Sequence, residues 1–480
     1  MAIIILPVCF IALFFIWGLY AGSNAKKREI LLGSVLLFSA LLPAITELLS
    51  AFGVLNFSWL FASWSVVTLA ALLWLFQCRQ QLHDLIGRHQ QKTIFTFRRL
   101  SLLNKLLLFL VTGILIVLFA QGIIYPPNNW DSMTYHLGRV ASWVSHQSVA
   151  YYPTHIIRQL YQPPFAEYTV MQAGLLTGSD HLVNAVQFVY LLFAVLAVSG
   201  ITQLLGLNRF YQVVAAVLAV TIPEVLLQAS STQNDVVVSF FILAAVYFAI
   251  LAERKNLLVH YCLFGLSTGL ALLTKGTAYV YLAPLLLLFA VAMLHNVIKT
   301  RNYAYLRYAV VAALICIAVN TINYSRNYQL NGSILGVDEQ ESKSYANERM
   351  TPGLLLSSIV KNSALHLSIK HTGFVSGTID KAVANLHQMI GISPHDPDVN
   401  YHGMPYKAQV ALTSEDSAPN PLHFILVLVS MIVLLTCLIK NRLPSIVLFL
   451  FLIILLQIIF FCGYLRWQPW DSRLHVPVFM

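Results

Sequence analysis

Apolar runs long enough to cross ~30 Å of hydrocarbon as helices recur from one end of this sequence to the other, and this constrains the fold more than any motif does. Inside a bilayer every backbone N–H and C=O must be satisfied by the protein itself, so only helices and closed barrels can span it. A barrel would show alternating segments of ~10 residues. The runs here are continuous, which predicts an all-α polytopic membrane protein. Composition agrees: of 480 residues, 58% are hydrophobic and 10% charged, with a mean hydropathy of +0.73.

Twelve spans are expected, at Ile3–Tyr20, Ile30–Phe52, Trp59–Phe76, Leu103–Ile123, Leu182–Leu205, Tyr211–Leu227, Val236–Leu251, Val259–Leu273, Thr277–His295, Tyr308–Tyr324, His423–Ile439 and Pro444–Cys462. The basic stretches Lys26–Arg28, Arg88 to Arg99, Arg254-Lys255, Lys299 to Arg307 and Lys440 to Arg442 all fall on one side if all twelve cross, and the positive-inside rule makes that side cytoplasmic. The net charge of +10 is therefore read as topology, and nucleic acid is not an expected partner. The same alternation puts the N-terminus, Tyr125–His181, Gln228–Asp235 and Ser325–Leu422 on the extracytoplasmic face. The first run lacks a basic flank and a small-residue cleavage signature, so it is expected to be a retained helix. The six cysteines lie in or beside apolar runs without metal-ligand spacing, and no disulfide framework is expected.

Four regions follow. Residues 1–102 form an accessory unit of helices with a basic loop, and 103–324 a transmembrane core that includes the outer loop 124–181. Residues 325–422 form a long extracytoplasmic segment, and 423–480 a C-terminal unit. Its last stretch, "RWQPWDSRLHVPVFM", predicts a helix that starts and is cut short. Leu137, Val140, Ala141 and Val144 recur at helical spacing, as do Leu354, Leu355, Ile359, Ala364 and Leu367. Both stretches predict amphipathic helices that lie on the bilayer surface or pack against the bundle top.

Chemistry concentrates in "YPPNNWDSMTYHLGRV", directly after the fourth run. Asp131 sits where a carboxylate reaches both water and membrane-anchored molecules, which suits a general base; the competing role is a helix N-cap. If a helix starts there, Asp131, Tyr135 and Arg139 share a face. Asp235 closes "SSTQND" on the same expected side, again as an acid of the site or a cap. Lys275 interrupts "ALLTKGTAYVYLAP", either to bind phosphate or to snorkel. Arg139, Arg158, Arg326 and Arg473 are the other outer-face cations fit for a phosphate. His136, His146, His155 and His181 cluster in sequence but show no HxH or HExxH spacing, so no metal site is assigned, although a divalent cation stays open. Glu47 and Glu224 lie near outward helix ends, away from the midpoint where an ion pathway would place them.

The segment "NNWDSMTYHLGRVASW" resembles the first outer loop of polytopic GT-C glycosyltransferases, and within them the bacterial relatives of protein O-mannosyltransferases and of lipid A aminoarabinose transferases. In order, "TQNDVVVSFFILAAVYFAI", "GLSTGLALLTKGTAYV", "NYSRNYQLNGSILG" and "RWQPWDSRLHVPVF" extend the resemblance from about Leu103 to the last residue. It implies an integral-membrane enzyme that moves a sugar from a polyprenyl-phosphate carrier to a protein, lipid or glycan acceptor outside the cytoplasm, in the inner (plasma) membrane. It also implies Asp131 and Asp235 as catalytic acids, with Tyr135, His136, Arg139, Arg158, Lys275, Arg326 and Arg473 toward the substrate and its lipid phosphate. The chain departs from the pattern in three preceding helices, in a single acid after Trp130 where relatives carry a pair, and in Ser333-Ile334 where many have Asn-Pro. A lipid or sugar transporter, or a flippase, is the alternative, with an O-antigen polymerase or ligase as a third; the first would show inverted repeats or ionisable residues at helix midpoints.

Overall fold

The computed structural model describes residues 2–22, 25–87, 100–337, 339–368, 373–408 and 414–480. The basic stretch Arg88 to Arg99 lies outside the described residues. The architecture is all helical, and among the described residues ten helices are long and apolar enough to cross a membrane. In chain order these are α1 (Ile5–Ala21, preceded by a short 3₁₀ turn), α2 (Lys27–Ala51), α3 (Phe57–Gln77), α4 (Leu102–Ile124), α8 (Ala185–Leu204), α11 (Asp235–Lys255), α13 (Thr277–Thr300), α14 (Ala304–Asn331), α18 (Pro421–Ile439) and α19 (Ser445–Tyr464). Between them lie α5 (Leu137–His146), α6 (Arg158–Tyr161), α7 (Phe165–Thr177), α9 (Arg209–Val220), α10 (Pro223–Gln228), α12 (Leu258–Leu272), α15 (Glu339–Tyr345), α16 (Pro352–Leu367) and α17 (Gly373–Ile390). The chain ends in α20 (Asp471–Leu474) and α21 (Val476–Phe479).

Two of the twelve expected spans are too short to cross alone. The expected span Tyr211–Leu227 is broken, because Pro223 has no N–H to donate and drives Ile222 into an extended conformation, ψ 119°. This leaves α9 with 12 residues, roughly 18 Å of helix, and α12 has 15, roughly 22 Å. Both nevertheless run from one end of the bundle to the other, because each is fixed at both ends. At one end, Arg28 at the head of α2 donates to Gln212 of α9 (2.8 Å), and Glu29 accepts from Lys255 (2.9 Å) and meets His260 of α12 (2.8 Å). At the other, α10 meets the loop after residue 413 through Ala418 N donating to Glu224 (2.7 Å), and the turn after α12 carries Lys275 to Asp235. Among the described residues, ten spanning helices and the two shorter apolar helices α9 and α12 thus follow one another in the expected order.

The bundle is centred on α11, where every residue from Asp235 to Ala252 is buried. A helix apolar on all sides has no solvent face to keep, so it takes the middle. Against its neighbour α12 packs α14, and two glycines set their separation. A Cβ on Gly265 would lie 2.2 Å from the Ala312 carbonyl oxygen, and one on Gly269 3.1 Å from the Cys316 Cα. This small-xxx-small face brings two backbones together where lipid gives no hydrophobic drive to associate. Asn320 of α14 then donates to the Gly269 carbonyl at 3.0 Å.

Both amphipathic stretches are helices that pack on the bundle. Leu137 and Val140 of α5, and Leu355 and Ile359 of α16, lie against the main core, while Leu354 and Ala364 are buried. Two polar ties anchor the top of the bundle to the first helices: Arg326 grips Glu47 through both guanidinium nitrogens (2.9 and 2.5 Å) beside Tyr168, and Trp64 donates to Gln172 at 2.9 Å.

Candidate active site

The first outer stretch does not continue α4 as an ordinary helix. Asn129, not Asp131, caps it: its Oδ1 accepts from Ser132 N at 2.7 Å. Asp131 makes no capping bond, which leaves its carboxylate to other partners. Ser132–His136 then form a π-turn, whose wider winding breaks the 3.6-residue register. Asp131, Tyr135 and Arg139 consequently do not share a face. Asp131 and Tyr135 point into a cavity, whereas Arg139 turns into the core over the Trp143 ring (4.7 Å), donating to the Gln162 carbonyl at 2.9 Å.

The cavity measures about 780 Å³. Its wall draws on the π-turn, α6, the Asn234–Asp235 junction, the Lys275 turn, α13, α14, α15, the loop before α18 and the segment after α19. Segments that are remote in sequence are pinned together beside it. Thr232 bonds Ser132 at 2.5 Å, and Asn234 donates to the Thr274 carbonyl at 3.2 Å.

Its charged groups form two units. Arg473 donates through Nη2 to Asp131 at 2.6 Å and through Nη1 to Asp416 at 3.1 Å; Gln233 donates to the same Asp416 oxygen at 2.7 Å. Lys275 donates to Asp235 at 2.5 Å, and the second oxygen of Asp235 is buried without a partner among the described residues. Burial works against ionisation of Asp131, but Arg473 and His136 outweigh it, so the carboxyl is held below its ordinary range. Burial likewise disfavours the Arg473 guanidinium, which Asp131 and Asp235 hold charged. For Lys275 burial wins over Asp235 and lowers the ammonium. Arg158 lines the same cavity over the Tyr135 ring (5.4 Å) and makes no ion pair with a carboxylate among the described residues.

The structure thus gathers Asp131, Tyr135, Arg158, Lys275 and Arg473 in the lining of one cavity, with Asp235 paired to Lys275. It sets three other expected residues apart. His136 bonds Glu167 at 2.5 Å behind the wall, Arg139 is fully buried near the second oxygen of Glu167 (3.9 Å), and Arg326 is engaged by Glu47. The lining rings Tyr345, Tyr401 and Trp470 were not singled out in the sequence, and Asp416 is the charged cavity residue that sequence reasoning missed. Its stretch "SEDS" offers two adjacent acids in a loop, and nothing local says which of them meets an arginine 57 positions on. Among the described residues no three His, Cys, Asp or Glu side chains converge as a metal ion would require.

One side of the cavity is apolar. Val280 and Ala283 of α13, Phe460 of α19 and Leu465 line the same cavity, so it combines its charged groups with apolar side chains from two membrane helices. An acid, fixed cations and an apolar flank in one chamber suit an amphiphilic phosphate ester and a hydroxyl nucleophile.

Residues 161–322 match the family model described as dolichyl-phosphate-mannose-protein mannosyltransferase, about a third of the chain. The matched stretch holds Asp235 and Lys275, while Asp131 and Arg473 lie outside it. No curated protein and no solved structure matches the chain. The match supports the GT-C resemblance read from the sequence, and with ten apolar helices it supports a multi-pass membrane glycosyltransferase of mannosyltransferase-like type.

Proposed function

We propose that this membrane glycosyltransferase takes its sugar from a polyprenyl-phosphate carrier and passes it to a hydroxyl acceptor on the extracytoplasmic face. One observation carries the reading: Asp131, three cations and an apolar inter-helix flank share one cavity. The flank formed by Val280, Ala283 and Phe460 suits the start of a prenyl chain, and the cations suit its phosphate. The sidedness rests on the basic stretches, since Arg28, Arg254 and Lys255 gather at the end of the bundle away from the cavity.

In the reaction, Asp131 accepts the proton of the acceptor hydroxyl as its oxygen attacks the anomeric carbon. The bond from that carbon to the phosphate oxygen breaks, and its electron pair leaves with the polyprenyl phosphate. Arg158, Lys275 and Arg473 stabilise the charge that develops there. Attack opposite the leaving group inverts the anomeric centre. The direct test supplies the purified full chain with a polyprenyl-phosphate hexose and measures polyprenyl phosphate released together with sugar transferred. Absence of both across donors would overturn the reading in favour of transport.

Arg158 is the cavity cation that no carboxylate among the described residues holds, so it is assigned the largest share of phosphate binding. Arg158→Ala is expected to raise the donor KM about 10- to 100-fold, as a charge-assisted hydrogen bond worth roughly 1.5–3 kcal/mol implies. Steady-state kinetics at varied donor check this, and a donor KM within twofold of wild type would remove Arg158 from the site.

Asp131 also fixes a pH dependence. A depressed carboxyl is ionised at neutral pH, so kcat/KM holds until the pH falls below the ordinary carboxylate range. In Arg473→Gln the burial of Asp131 persists while its main counter-charge is gone. The acid limb should then move to higher pH. A limb that stays in place would mean that another group sets it.

A further inference from the structure

We infer that the acceptor is a carbohydrate, and that one of its sugar rings rests on a row of aromatic side chains, Tyr345, Tyr401 and Trp470, at the polar side of the cavity. This rests on the glycosyltransferase reading above and names the acceptor class for the same site. The three rings line the cavity and touch in sequence: Tyr345 and Tyr401 are tilted by 37° with centroids 5.1 Å apart, and Trp470 meets Tyr401 edge to face at 76° with centroids 5.4 Å apart, so a sugar stacks on one ring at a time. None of them is buried, although each belongs to a different segment of the chain.

The row is built before any ligand arrives. Arg466 is 5% exposed and ties the segments together: its backbone N–H donates to the Tyr345 carbonyl (2.8 Å), its Nε to the Ala346 carbonyl (2.9 Å) and its Nη1 to the Pro397 carbonyl (3.0 Å), while Nη2 pairs with Glu348 (2.5 Å). Tyr401 N donates to the Trp467 carbonyl at 3.0 Å, which fixes the second ring's backbone against the segment that carries the third. A guanidinium is costly to bury unless its N–H groups find partners, and here the partners are the Ala346 and Pro397 carbonyls and the Glu348 carboxylate, in the segments that lead to and from Tyr345 and Tyr401.

What such a row recognises follows from its chemistry. The ring faces carry negative charge density, and the C–H bonds on one face of a pyranose are polarised positive by the sugar's oxygens, so the two stack. The sugar's hydroxyls need polar neighbours at the edge of the platform, and Ser342, Gln468 and Asp416 line the cavity beside it. A prenyl chain would use the rings without the polar edge, and the apolar flank of α13 and α19 already suits it.

The experiment uses the purified full chain with a polyprenyl-phosphate hexose donor, a panel of short oligosaccharides, and a panel of Ser- and Thr-containing peptides. Release of polyprenyl phosphate in the absence of acceptor reads donor turnover separately from transfer. The expected result is transfer to oligosaccharides in preference to peptides. With Trp470→Ala the oligosaccharide KM should rise about tenfold, more than the donor KM does, and Trp470→Phe, which keeps a stacking face, should recover most of the loss. Donor turnover with peptides as the better acceptors would overturn the inference while leaving the glycosyltransferase reading intact. So would a Trp470→Ala enzyme whose donor KM rises as much as its acceptor KM, because the ring would then hold the donor's own sugar. If no polyprenyl phosphate is released under any condition, the glycosyltransferase reading falls and takes this inference with it.

Discussion

Asp131→Asn should reduce sugar transfer by about 10²–10⁴-fold, the usual contribution of a positioned general base, while the protein still accumulates in the membrane. The substitution keeps the shape of the side chain and removes its charge. Asn129 caps the π-turn, so the turn does not depend on the Asp131 carboxylate. Arg473 keeps Asp416 as a partner at 3.1 Å, so the buried guanidinium is not left bare. The loss should therefore appear in kcat more than in the donor KM, the signature of an interaction used in the transition state. Transfer assayed in membranes at matched protein level checks this. An Asp131→Asn enzyme as active as wild type would reduce Asp131 to an anchor for Arg473.

Gly265→Leu should cost the protein its fold, and this second large effect lies far from the chemistry. The first side-chain atom added would sit 2.2 Å from the Ala312 carbonyl oxygen, 2.7 Å from its Cα and 2.8 Å from its carbonyl carbon. These are backbone atoms of α14, so no rotamer change relieves the clash. The helices must part, which strips the Asn320 bond to Gly269 and opens the packing of α12. Overpacking a tight core costs about 1–3 kcal/mol when neighbours can shift, and here more than about 3 kcal/mol is expected. Thermal unfolding of the detergent-solubilised protein should show no cooperative transition near that of wild type. Gly113→Leu is the control, because a Cβ there meets nothing within 4 Å. Equal stability of the two variants would mean that the α12–α14 contact is loose.

Much of the fold was legible because a bilayer allows so few solutions. Among the described residues, length and hydropathy located all ten helices long enough to span, since hydrocarbon penalises a polar residue wherever it falls on a lipid-facing helix. The shortfall at α9 was also in view, as Pro223 stood inside an expected span and its missing N–H was enough to break it. The Gly265 and Gly269 pair was a readable signal for helix contact that went unused.

The candidate site divides differently. Composition and position marked Asp131, Lys275, Arg158 and Arg473 as ionisable groups expected on one face, and that needed only the alternation of crossings. Which of the expected cations stand free is a matter of partners, and partners are chosen in three dimensions. Arg326 and Arg473 look alike in sequence, each an arginine after an apolar run. One meets Glu47 across 279 positions and the other Asp131 across 342. A buried guanidinium requires a counter-charge wherever the packing puts it, so its role follows from what the folded chain places within hydrogen-bond reach. The same holds for Arg139, which a single π-turn rotates from the cavity into the core. By itself the sequence determined where the apolar spanning helices lie and in what order, because the bilayer reads those properties locally. Only the tertiary structure decided which acid meets which base, because that depends on distances no stretch of sequence contains.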